Sequence, residues 1–77
     1  SPNPATHDMV IGFSLEAPST VSIELLDALG RVISMPINSF YLTGNHEYRL
    51  DVSGLTHGVY HLRMNGYSQT IKFVKVD

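Results

Sequence analysis

Apolar residues recur at every second position along most of this chain, in short runs cut by glycine, proline and asparagine. A period of two marks a strand with one buried face, because successive side chains leave a strand on opposite sides. Met9, Ile11, Phe13 and Leu15 alternate with Asp8, Val10, Gly12 and Ser14. Val21, Ile23 and Leu25 alternate with Ser22 and Glu24, and His46, Tyr48, Leu50 and Val52 alternate with Glu47, Arg49 and Asp51. No long segment carries a helical period with caps. About six or seven short strands broken by regular turn signals describe an all-β sandwich or small barrel.

The turns set the expected register. Asp27-Ala28-Leu29-Gly30 reads as a type I turn closed by a left-handed glycine, with Asp27 opposite Arg31, Leu25 opposite Ile33 and Ile23 opposite Met35. Asn65-Gly66 is the clearest hairpin signal, since both central positions of a type I′ turn need φ > 0. A two-residue loop there pairs Met64 with Tyr67, Leu62 with Gln69 and Tyr60 with Ile71. Pro36 to Gly44 lacks clear alternation and reads as a loop holding at most a short edge strand. The expected core is Ile11, Phe13, Val21, Ile23, Leu25, Leu50, Val52, Leu55, Tyr60, Leu62, Ile71 and Phe73. Pro2 and Pro4 stiffen an extended lead-in, which has no core-forming residues and reads as a linker from something upstream.

At 77 residues the chain is a single domain with a thin core and little room for a deep cleft. Five basic side chains against seven acidic ones leave no excess for nucleic acid or an anionic membrane. Cysteine is absent, which removes disulfides, thiolate metal sites and a cysteine nucleophile together. No apolar run is long enough to span a membrane. Ser1 to Asp8 has neither a basic start nor an apolar stretch, so if the protein is exported its leader is expected upstream.

Candidate chemistry is sparse. His57 and His61 have the spacing of a helical metal pair, but glycine-turn context puts them on a turn and a strand, and Gly58 stands where a zinc-protease glutamate belongs. His7 reads as solvated and His46 as half-buried. No Gly-x-Ser-x-Gly motif is present, and Asp51 before Ser53 reads as turn capping. The aromatic residues fall mostly at inward positions, with Tyr41 and Tyr67 the two expected outside. Neither a catalytic residue nor a cofactor or metal ligand is assigned.

Three blocks in order resemble one family. They are Pro2-Asn3-Pro4-Ala5-Thr6, then Val21-x-Ile23-x-Leu25-x-Asp27-x-x-Gly30-Arg31-x-Ile33, then Leu50-x-Val52-Ser53-x-Leu55-x-x-Gly58-Val59-Tyr60 leading to Ile71-Lys72-Phe73-Val74-Lys75-Val76. This pattern is similar to the C-terminal sorting domain of the type IX secretion system, found in Bacteroidota. The resemblance implies an immunoglobulin-like antiparallel β-sandwich with Greek-key connections over residues 8–77, entered by a linker at 1–7. It also implies a secretion signal for an N-terminal cargo in the same precursor. The implied partners are the outer-membrane translocon, its shuttle protein and a sortase, which in many members removes the domain and anchors the cargo at the cell surface. The implied route runs through the periplasm to the cell surface or medium.

The residues expected to carry the signal are Pro2, Asn3, Pro4, Gly58, Val59, Tyr60, Lys72, Phe73, Val74 and Lys75. Lys72 and Lys75 are expected to stand on the outside of the last strand, open to recognition. The competing reading is an adhesive or carbohydrate-binding module of a secreted protein.

Overall fold

The computed structural model describes residues 5–66 and 70–77. Among them the chain forms six strands and no helix: β1 (Asp8–Leu15), β2 (Ser19–Leu26), β3 (Val32–Tyr41), β4 (Gly44–Asp51), β5 (Gly58–Met64) and β6 (Thr70–Lys75). Every strand pairing is antiparallel. One sheet is the pair β1-β4, and the other runs β3-β2-β5-β6. The all-β expectation therefore holds. The inward residues of both sheets merge in one cluster, with Met9, Ile11 and Leu50 from the smaller sheet against Val21, Ile23, Leu25, Ile37, Tyr60, Leu62 and Phe73 from the larger.

The turn after β2 forms as read. The Asp27 amide donates to the Arg31 carbonyl at 2.9 Å, the Gly30 amide donates to the Asp27 carbonyl at 3.0 Å, and Gly30 has φ +84°. Beyond it the register departs from expectation: Leu25 lies opposite Ser34 and Ile23 opposite Ile37, with an irregularity at each step. Extra residues in β3 rotate Ile33 and Met35 out of the core phase, and both are half exposed.

The stretch from Pro36 was expected to be mainly loop, yet β3 continues through it to Tyr41. β3 is the outer strand, and Pro36 falls within a bulge, where its missing N–H breaks no regular ladder. Bulges scrambled the alternation that would have shown this strand.

The final hairpin is also shifted. Leu62 pairs with Ile71 and Tyr60 with Phe73, a displacement of two residues from the register of a two-residue loop. The cause lies at Asn65. Its amide donates to the Ser22 carbonyl at 2.9 Å, and its Oδ1 accepts from the Ser22 amide at 2.8 Å. Asn65 thus extends the pairing with β2, while it and Gly66, at φ +82°, lie in the turn as read. Expected partners Tyr67 and Gln69, and the exposure expected of Tyr67, lie outside the described residues.

An even shift keeps every side chain on its face, so Tyr60, Leu62 and Phe73 still point inward and are buried. Ile71 does not reach the core: it is 64% exposed at the mouth of a small apolar gap lined by Ile11, Phe13, Leu62 and Met64. The opposing sheet is only two strands wide and leaves that end uncovered. Phe13 and Leu55 pack partly buried against the cluster, and the remaining expected core positions are buried.

Phe73 is the largest of the fully buried side chains, and its ring stacks on that of Tyr60 at 5.6 Å between centroids. Phe73→Ala will cost about 3–5 kcal/mol by removing that volume, a large part of the stability of a domain this small. Phe40→Ala, at a 64% exposed position, will shift stability by no more than about 0.5 kcal/mol. Urea unfolding followed by circular dichroism measures both.

Candidate recognition surface

The third motif block builds the end of the molecule where the chain re-enters the sheet. After β4, the Asp51 carboxylate accepts from both the amide and the hydroxyl of Ser53, at 2.9 and 2.7 Å. The Leu55 amide donates to the Val52 carbonyl, which closes a turn over the fully buried Val52. This is the capping role read for Asp51. The chain then enters β5 at Gly58, whose φ of +150° lies where side-chain-bearing residues are rarely found. Tyr60 is buried, and its hydroxyl donates to the Thr56 carbonyl at 2.7 Å. Val59 is half-buried and pairs across the hairpin with Val74.

β5 joins the two motif-bearing hairpins. It pairs with β2 through Ile23–Leu26 and with β6 through Gly58–Arg63. Between Glu24 and Arg63, cross-strand neighbours, the guanidinium donates twice to one carboxylate oxygen at 2.9 and 2.7 Å.

The terminal strand corrects one expectation outright. Lys72 is exposed, but Lys75 is only 2% exposed, and its Nζ donates to the Leu55 carbonyl at 3.0 Å. Parity explains this: residues 71, 73 and 75 share a face, so Lys75 follows Phe73 inward. The long apolar stem fills the core edge while the amino group finds a carbonyl at the turn. Val74 is half-buried on the opposite face, as expected.

The N-terminal lead-in meets the same strand. Ala5, expected to lie in a segment without core residues, is fully buried. Its amide donates to the Val74 carbonyl at 2.8 Å, and its carbonyl accepts from the Val76 amide at 2.9 Å, a short parallel bridge. The His7 carbonyl accepts from the Val52 amide at 2.9 Å. Pro2, Asn3 and Pro4 lie outside the described residues.

Sequence reading did not anticipate that the second motif block belongs to this surface. An open recess of about 210 Å³ separates the Asp27–Arg31 turn from His57, Gly58 and Val59. Asp27 Oδ1 accepts from the amides of Arg31 and Leu29, each at 2.9 Å, and Oδ2 accepts from Arg31 Nε at 2.7 Å. The Arg31 amide, then the guanidinium and the Leu29 amide, hold the Asp27 carboxyl below its ordinary 3.8. Asp51 is lowered in the same direction, first by the Ser53 hydroxyl and then by its amide. His46, read as half-buried, stacks against Phe13 at 5.4 Å, and Tyr41, expected outside, is instead half-buried, packed edge-on against both rings. His57 lies in the turn and His61 on β5, as read.

Two outcomes follow. Lys75→Met keeps the stem but leaves the Leu55 carbonyl without its donor, and will cost about 1–3 kcal/mol. Lys75→Glu adds a buried anion beside that carbonyl and will cost more, about 3–5 kcal/mol. Lys72→Glu will cost far less than either, and thermal melts of the three variants give the ranking. The second outcome concerns pH. Asp27 and Asp51 have folded-state values below their unfolded ones, so their contribution is present above 3.8 and fades as pH falls through the lowered values. Asp27→Asn will lower the melting temperature at neutral pH and flatten its decline on acidification.

A family model described as the secretion system C-terminal sorting domain matches residues 2–76. No curated protein and no solved structure matches significantly. Among the described residues, no helix is long and apolar enough to cross a membrane. The family is one of sorting signals rather than enzymes, and a type IX sorting signal implies export toward the cell surface or medium. The match spans nearly the whole sequence and all three motif blocks: this chain belongs to the C-terminal sorting domains of the type IX secretion system.

Proposed function

We propose that this chain acts as the folded address label of a cargo protein, read at the outer membrane by the type IX translocon and its shuttle protein. A sortase then cleaves ahead of the domain, near Pro2-Asn3-Pro4, and the cargo is anchored at the surface or released. The observation that carries this reading is the family match over residues 2–76. The two packed sheets support an immunoglobulin-like sandwich with Greek-key crossings as the form of the label. The folded unit read as 8–77 is extended by Ala5, whose burial and bonds to β6 tie the residues entering from the cargo to the domain.

The route passes through the periplasm before the translocon. Of the signal residues, Tyr60, Phe73 and Lys75 build the surface from within, whereas Gly58, Val59, Lys72 and Val74 lie nearer solvent. Outward groups of this kind suit recognition by a partner surface.

The test is a periplasmic reporter fused ahead of residues 1–77. In a host with a type IX system the reporter will reach the surface or medium, and in an isogenic host lacking the translocon it will stay periplasmic. Retention in both hosts favours an adhesive module instead.

A further inference from the structure

We propose that the recess between the Asp27–Arg31 turn and the start of β5 seats a carboxylate-bearing, aliphatic peptide segment of the export machinery, an inference that rests on the sorting reading above. Its walls come from two of the motif blocks, which are distant in sequence and meet only in the fold. Its size of about 210 Å³ suits one or two side chains.

The chemistry left open at the recess is one-sided. Both oxygens of Asp27 already accept hydrogen bonds from Leu29 and Arg31. The Tyr60 hydroxyl is engaged with Thr56. What remains is the guanidinium of Arg31, on a side chain 75% exposed and committed to Asp27 through Nε, and the exposed imidazole of His57. A guanidinium has further donors and no acceptor, so the complement it selects is an oxygen acceptor, best a carboxylate.

Asp27 also holds Arg31 in place, which lowers the ordering cost of binding. Beside these donors stand Leu29, 79% exposed, and the half-buried Val59, which fit an aliphatic neighbour of that carboxylate. An anionic lipid surface offers similar chemistry. The net charge of −2 and the single arginine at the recess favour a peptide over such a surface.

The test uses the reporter fusion with changes confined to exposed rim positions, which leave the Asp27–Arg31 pair intact. Leu29→Glu places a carboxylate where the partner's would sit, and will reduce export about tenfold or more through like-charge repulsion. Leu29→Lys keeps an aliphatic stem and adds a donor, and will reduce export clearly less than Leu29→Glu does. His57→Glu will behave as Leu29→Glu does. Each purified domain will keep the wild-type melting temperature.

In parallel, the purified chain labelled with ¹⁵N is titrated with acetyl-Leu-Glu-Leu-amide, with its Gln counterpart, and with phosphatidylglycerol vesicles. Shifts confined to the amides around Leu29, Arg31, His57 and Val59 with the Glu peptide alone are the expected result. Normal export of both Glu variants, or equal loss with Glu and Lys, overturns the inference while the sorting reading stands. A response to vesicles but to neither peptide also overturns it. Retention of the wild-type fusion removes the sorting reading itself, and the inference with it.

Discussion

The pairing of β6 with β5 is the contact on which the rest of the molecule depends. β6 contributes Phe73 and Lys75, both almost fully buried, yet it comes from the very end of the fold. Phe73 closes the core against Tyr60, and Lys75 ties the strand to the Leu55 turn across the sheet edge. Ala5 then binds the far side of the same strand through its amide and carbonyl. The entry from upstream and the exit at the C-terminus thus meet on one strand. A domain with so little core has few redundant contacts, so loss of this joint exposes the interior at both ends at once.

The terminal strand therefore does two things at once: it completes the core through Phe73 and Lys75, and it gives Ala5 its backbone partners. Loss of β6 removes both together.

Much of this was legible in the sequence because period-two patterning survives any even error in register. Tyr60, Leu62 and Phe73 point inward in either register, whereas Ile71 on the same face is left outside the core. Errors arose where one residue did two tasks or where the pattern was interrupted. Asn65 carried a turn signature but its amide and side chain extend the pairing with Ser22. The bulges around Ile33 and Pro36 erased the alternation of β3, which hid a long edge strand inside an apparent loop. Lys75 was read by its charge, though the parity that places Phe73 inward places Lys75 there too. The recess was not legible, because no local pattern says that the Asp27–Arg31 turn stands beside Gly58. Long-range packing alone brings them together.

The motif residues divide by what they do, and the division bears on how such a signal works. Gly58 serves a backbone angle, Gly30 serves a turn, and Asp27 organises that turn through both carboxylate oxygens. Tyr60 and Phe73 serve the core. Most of what makes the chain recognisable as a family member is therefore what makes it fold. Arg31 differs: its amide supports the turn, while its side chain projects mostly into solvent, held at one end by Asp27. Folding needs the Arg31 backbone but makes little demand on a guanidinium there, because exposed ion pairs contribute about 0–1 kcal/mol. A cation oriented by Asp27, which contributes little to stability and stands beside an open recess, is free to serve binding.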